Sequence, residues 1–343
     1  MAASARRPTV KEVAQLAGVS PMTVSRTLSG GVNVKPEVQA RVLAAVEKLG
    51  YHRNENARSI RPGQSSGLIG VAITNIANPY YSTFALGVEE EAARSGRRIL
   101  LGNTAEDAAR EAELVADFLG RQVDGLIVVP AGTASAHLVH SQAQGVPVVL
   151  ASRRIGELAA DSVVLADEDG AYRGTRALRE HGHSRIGYLG NSVAIFTGAR
   201  RFAGFERALA EDGLAPDPEL VATRQQTVDQ AMDAAARLLA LPQPPTAIFC
   251  ANNRNAIGAL KAIGARQRTG HGDVLPELVS FDDFELAELA PVRLSVIDHD
   301  PRVLGREAAR LLLQRLDGTQ RDAAPREVEL PVALRRVGTA DPG

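Results

Sequence analysis

The chain has 343 residues, 45% hydrophobic and 23% charged, an ordinary soluble composition long enough for two to three domains. No apolar run reaches the roughly 18 residues needed to cross a bilayer, the N-terminal MAASARRPTV lacks the apolar core of a secretion signal, and the single cysteine, Cys250, excludes an internal disulfide, so a cytoplasmic location is expected. The net charge of −1 hides an asymmetry: residues 1–65 carry ten Lys and Arg against four Asp and Glu, whereas the remainder carries 29 against 36, so only the head is suited to a polyanion.

The first elements lie between Thr9 and Leu28, TVKEVAQLAGVSPMTVSRTL. Thr9 with Glu12 three residues later forms a capping box. Val10, Val13, Ala14 and Ala17 recur at helical spacing and predict one buried face. Gly18 supplies a left-handed stop. Ser20 caps a second helix whose first turn holds Pro21, where a missing N–H costs nothing. Val24 and Leu28 give that helix its buried side, leaving Met22, Thr23, Ser25 and Arg26 on or near the outward one. Two short helices around a glycine turn form a helix-turn-helix, whose second helix enters the DNA major groove. A helical hairpin inside a larger core is the plainer alternative. A third amphipathic helix follows from Pro36 to Leu49 through Val38, Val42, Leu43, Val46 and Leu49, closed by Gly50.

Next comes a polar connector, residues 52–66, in which Asn54 caps one helical turn from Glu55 to Arg61, ended by Pro62-Gly63. So short a helix is marginal alone and should form when DNA holds it.

At this point the chain resembles the LacI/GalR family of bacterial regulators. The matching stretches are VKEVAQLAGVSPMTVSRTLSG, RVLAAVEKLGY, NxxARSI and then GLIGVAI, and the likeness extends over nearly the whole chain. It implies a homodimeric repressor with a DNA-binding head (residues 1–51), a hinge (52–66) and an effector-binding core (67–343). Arg26, with Pro21, Met22 and Thr23, would lie at the major groove, where Arg can bridge guanine O6 and N7. Ser20 and the helix N-termini would hold phosphates. Arg58 and Ile60 would enter the minor groove at the dyad, where an apolar wedge kinks the duplex. Thr9, Ser25, Asn33, Tyr51, Asn54 and Ser59 complete the expected DNA-contact set. A palindromic operator is expected, because one head has too little surface for tight specific binding.

From Leu68 onward, apolar runs of four to six residues alternate with amphipathic stretches of twelve to sixteen. LIGVAI, RRILL, GLIVV, VPVVL, SVVLA, RIGYLG, TAIFC and LVSF are the runs. Buried runs separated by helices predict α/β lobes with doubly wound parallel sheets. LIGVAITN and RIGYLGN look like paired lobe starts, giving lobes at roughly 67–165 and 166–343 with a ligand cleft beyond the strand ends. The family resemblance implies the same, a periplasmic-binding-protein-like core. The absence of GxGxxG and of GxxxxGK[ST] argues against a dinucleotide or nucleoside triphosphate.

Candidate effector contacts follow the strands. Asn78-Pro79-Tyr80-Tyr81 opens a helix after the first strand and offers two aromatics for stacking, one of which is expected in the core. Thr197 and Arg201, after RIGYLG, match the family's second-lobe contact loop. Asn252 after TAIFCA and Asp282 after LVSF place an amide and a carboxylate where neighbouring hydroxyls of a sugar or sugar derivative could pair with them. Asp169, Gln226 and His299 are weaker candidates. Against the family pattern, Ile60 stands where the hinge usually has Leu, Arg53 where Pro is common, Asn253 where Asp is usual, and Gln226 where an effector-stacking aromatic is frequent.

Enzyme signatures are missing. The seven His include no HExxH, Cys250 has no partner for metal chemistry, and no GxSxG elbow occurs. His181 and His183 around Gly182 read as structural. No metal or cofactor is expected. A solute-binding protein feeding a transporter is the first rival, opposed by the basic head and the absent signal, and a sugar-modifying enzyme is the second.

Overall fold

In a computed structural model the described residues are 8–28, 34–51, 65–156, 158–268, 275–320 and 323–337. The chain divides into two compact units between Ser66 and Gly67.

The first unit holds α1 (Val10–Ala17), α2 (Pro21–Leu28) and α3 (Pro36–Leu49). The Thr9 hydroxyl accepts from the Glu12 amide, and the Glu12 carboxylate accepts from the Thr9 amide at 2.6 Å, so the capping box satisfies two otherwise free donors. Gly18 (φ +65°) and Gly50 (φ +59°) end α1 and α3 in the left-handed region. Ser20 Oγ accepts from the Thr23 amide at 3.2 Å, starting α2. Val13, Ala14, Ala17, Val24, Val42, Ala45 and Tyr51 form the small core. Leu43, expected inside, is 54% exposed. The i, i+3 pair Val42 and Ala45 takes the inner face of α3, and Leu43 lies about 100° around the helix from Val42.

The second unit contains two six-stranded sheets. The first is ordered β11-β5-β4-β3-β1-β2, from β1 (Leu68–Ile73), β2 (Arg98–Asn103), β3 (Gly125–Val128), β4 (Val148–Ala151), β5 (Asp161–Leu165) and β11 (Glu327–Leu330), all parallel. The second is ordered β12-β10-β9-β8-β6-β7, from β6 (Ile186–Leu189), β7 (Val221–Ala222), β8 (Ala247–Cys250), β9 (Glu277–Phe281), β10 (Leu294–Asp298) and β12 (Ala333–Val337), the last antiparallel. Each sheet winds outward in both directions from its first strand, so the two lobes repeat one topology, and the order reverses beside β1 and beside β6. Inner strands such as β3, β4, β6 and β8 are buried at every position, as parallel strands covered by helices on both faces must be.

The helices of this unit are α4 (Pro79–Arg94), α5 (Ala108–Gly120), α6 (Ala136–Ala143), α7 (Asp167–Glu180), α8 (Phe196–Ala210), α9 (Val228–Leu239), α10 (Asn253–Arg268) and α11 (Pro301–Leu316). The lobes are not consecutive in sequence. The expected boundary at 165/166 describes only the first crossing. The chain passes to the second lobe at Ala166, returns at His299–Asp300 to lay α11 along α4 and β11 beside β5, and passes back at Pro331–Val332 to add β12. The α4–α11 contact is backbone-close, because a β-carbon at Gly87 would run into the Arg302 carbonyl and one at Gly305 into the Phe84 carbonyl.

Candidate functional site

The head presents a polar face. Pro21, Met22 and Arg26 of α2 are exposed, with Met22 at 64%, and Thr23 and Ser25 are half-buried. A large apolar side chain and a guanidinium left outside an eight-residue helix are free to meet a partner, whereas Thr27 is turned inward and bonds the Thr23 carbonyl at 3.0 Å. Thr9 serves its cap, and Tyr51 is buried in the head's core. Asn33, Asn54, Arg58, Ser59 and Ile60, with the expected turn of helix at 55–61, lie outside the described residues.

In the core a cleft with about 700 Å³ of empty space, mouth included, opens between the lobes at the C-terminal ends of the strands. Tyr80, Tyr81, Thr197, Arg201, Gln226, Asn252 and Asp282 all line it. Asn78 accepts from the Tyr80 amide at 3.2 Å and so starts α4 at the cleft. The Tyr80 hydroxyl lies 3.1 Å from His299 Nε2, and its ring meets Tyr81 edge-on at 5.1 Å. Burial, and then the Asp282 charge, push the Tyr80 phenol well above its ordinary pKa, so it remains a donor.

Arg201 is the centre of the second-lobe wall. Its Nε donates to Asp167 at 2.7 Å, its Nη1 donates to the Ala251 carbonyl at 2.6 Å and to Asp282 at 3.4 Å, and its plane lies 3.6 Å over the Phe281 ring. Desolvation works against the guanidinium charge, but Asp282 and Asp167 hold it more firmly charged than usual. Burial lifts the Asp167 carboxyl to about 6 although Arg201 pulls the other way. Asp282 sits at φ +65°, and its Oδ1 is buried without a hydrogen-bond partner. Ser152 (φ +61°) and Glu106 (φ +61°) line the same cleft in the same left-handed region. Non-glycine residues in that region cost free energy that the surrounding structure must hold in place, a condition concentrated at binding sites.

Two expectations change. Asp169 is not among the residues lining the cleft. It is exposed on α7 and pairs with Arg173 at 2.8 Å, while Asp167, two positions earlier and on another face of the helix, is the carboxylate that reaches Arg201. His299 lines an adjoining recess with Pro301 and Phe284, and it borders the cleft through the Tyr80 hydroxyl and through Asp282, whose Oδ1 lies 3.8 Å from its Nδ1. Asn252 does lie at the cleft, but its amide is already engaged: its Oδ1 caps α10 through the Asn255 amide and its Nδ2 donates to Asn191 at 2.7 Å.

Sequence reasoning missed Glu106, Ser152, Arg153, Asn191 and Arg254. Arg153 donates to both Glu106 oxygens at 2.6 and 2.8 Å and to the Pro130 carbonyl. Ser152-Arg153 follows β4 and Asn191 follows β6, so the strand-end rule applied to every strand would have found them. The paired His also have an account: His181 and His183 both meet the buried Glu277 carboxylate, at 2.8 and 3.1 Å, on the second lobe.

A helix-turn-helix head followed by a two-lobed α/β core with a polar interlobe cleft defines a DNA-binding regulator that carries a small-molecule module. Residues 9–54 match the bacterial regulatory proteins of the lacI family, and residues 66–336 match the periplasmic binding proteins and sugar binding domain of LacI family. The chain belongs to the LacI family and is a transcriptional regulator. It is 30% identical to catabolite control protein A of Priestia megaterium over 94% of this chain and 96% of that protein. It is 29% identical to the transcriptional repressor CytR of Escherichia coli over 95% of both chains. Among solved structures, the lac repressor dimer bound to operator and the anti-inducer ONPF superposes with a TM-score of 0.81 at 25% identity, covering 96% of this chain and 98% of that one. A CelR–cellobiose complex superposes with a TM-score of 0.71 at 26% identity, covering 96% and 99%.

Proposed function

We propose that the protein is a cytoplasmic homodimeric repressor, without enzymatic activity, that binds a palindromic operator and whose operator affinity is set by a sugar or sugar derivative held in the interlobe cleft. The observation that carries the effector reading is the cleft wall itself: amides of Asn75, Asn191 and Gln226, the hydroxyls of Tyr80 and Ser152, and Asp282, whose buried Oδ1 makes no hydrogen bond and faces His299 Nδ1 at 3.8 Å. A carboxylate oxygen that makes no hydrogen bond can be met by a ligand hydroxyl, and an aromatic wall beside amides suits a polyol ring. Cellobiose in the CelR complex is a precedent in a related fold.

Major-groove reading is assigned to Arg26 with Pro21, Met22 and Thr23, phosphate contact to Ser20 and the helix N-termini, and minor-groove entry to Arg58 and Ile60, with Thr9, Ser25, Asn33, Tyr51, Asn54 and Ser59 completing the DNA-contact set. Exposed Ile76, Leu86 and Leu101 on the first lobe supply apolar surface for a second copy. The test is a DNA-shift assay on the full chain with a palindromic operator fragment, alone and with members of a sugar panel. A specific complex of dimer stoichiometry that one sugar strengthens or dissolves is expected. Binding that ignores DNA sequence, or turnover of a sugar by the pure protein, would overturn the reading.

A further inference from the structure

Three arginines line the cleft: Arg153, Arg201 and Arg254. Two of them are neutralised on the spot, Arg153 by a bidentate bond to Glu106 and Arg201 by Asp167 and Asp282. Arg254 differs. Among the described residues it makes no salt bridge or hydrogen bond, and its Nε is buried without a partner. Only this N–H is withdrawn from water, the side chain as a whole being half-buried, and a buried donor left unpaired is destabilising unless something meets it. The two carboxylates that line the cleft, Glu106 and Asp282, are held by Arg153 and Arg201, the residues before Arg254 at the start of α10 are the neutral Asn252 and Asn253, and the first turns of α4, α8 and α10, which open at this cleft, hold no acidic residue. The positive ends of those helices add to the same potential.

We infer that the small molecule bound in this cleft carries an anionic group, a phosphate or a carboxylate, that pairs with the Arg254 guanidinium. The inference rests on the proposed effector role of the cleft and narrows its ligand to an acidic or phosphorylated polyol. The hydroxyl-bearing part lies toward Asp282 and Asn191, and the anion lies toward Arg254. A planar guanidinium offers two parallel N–H donors to either anion, stronger than neutral hydrogen bonds.

The experiment is calorimetric titration of the full chain with matched sets of a neutral hexose, the corresponding hexuronic acid and the corresponding 6-phosphate, with inorganic phosphate as the bare-anion probe. Wild type is compared with Arg254→Gln and Arg254→Lys. An anionic member is expected to bind at least tenfold more tightly than its neutral parent. Arg254→Gln should remove most of that margin, Arg254→Lys should keep part of it, and the preferred member tells carboxylate from phosphate. The inference is overturned if a neutral parent binds as tightly as its anionic forms while remaining sensitive to Asp282→Asn, which leaves the cleft reading standing. It is equally overturned if Arg254→Gln preserves the margin, or if no anion in the set, inorganic phosphate included, binds. Binding indifferent to both Asp282→Asn and Arg254→Gln removes the cleft reading and the inference together.

Discussion

Asn78 and Asn253 exchange two side-chain hydrogen bonds, 3.3 and 3.0 Å long, from opposite lobes of the core. Both amides are buried, and each donates one bond and accepts one. An ionised aspartate at 253 could only accept, so the reciprocal pair requires the amide. Asn253→Ala strands the Asn78 amide, and a loss of about 1–3 kcal/mol of core stability is expected, measurable by urea unfolding. Asn253→Asp should also lose stability, most at neutral pH, where the new carboxylate is charged.

The helix crossing at Gly87 has no room for a side chain. Gly87→Ala pushes a methyl group into the Arg302 carbonyl and forces α4 from α11. Overpacking of this kind typically costs about 1–3 kcal/mol, so the melting temperature should fall. An unchanged melting temperature would mean that the two helices slide freely.

Asp282→Asn keeps the shape of the cleft and removes the charge beside Arg201. Effector affinity should drop at least tenfold, while operator affinity without effector stays within about threefold, a margin below about 1 kcal/mol. Unchanged effector affinity would make Asp282 solely a partner of Arg201.

His299 gives a pH dependence. Burial, and then the Arg201 charge, lower its pKa below the ordinary 6.5, against the pull of Asp282. The unfolded chain therefore takes up the His299 proton before the folded one does, so this contribution to stability is complete above pH 6.5 and declines as pH falls through the interval beneath it. Wild type and His299→Gln, melted in parallel from pH 7.5 to 5, should diverge, with the wild type losing more stability on acidification. Parallel curves would refute the shift.

Arg26 tests the head. Arg26→Ala should weaken operator binding roughly tenfold to hundredfold and relax preference at one base pair per half-site, with little change on random DNA. Equal losses on both DNAs would make it a phosphate contact instead.

The head was legible in detail because its signals are local: Thr9, Glu12, Gly18 and Ser20 act within four residues of their own positions. The inner strands other than β10 were legible because burial on both faces leaves apolar runs, whereas β10, LSVID, was passed over although four of its five residues are buried. β11 and β12 were not, because EVEL and ALRRV are half-exposed edge strands without such a run. The cleft was half legible. Strand-end residues can be read from order alone, but the choice of Asp167 over Asp169 depends on helix rotation. The pairing of Arg153 with Glu106 joins loops 47 residues apart, and no spacing rule foretells it.

The interleaving of the lobes also sets a timetable for synthesis. The lobe begun first receives its last helix and its edge strand only from residues 301–330, and its neighbour waits for the strand at 333–337. Until residues 301–330 have left the ribosome, the face of α4 that meets α11 and the edge of β5 that meets β11 stay uncovered. Neither lobe can therefore be completed before the other has been made, and the two reach their native state together.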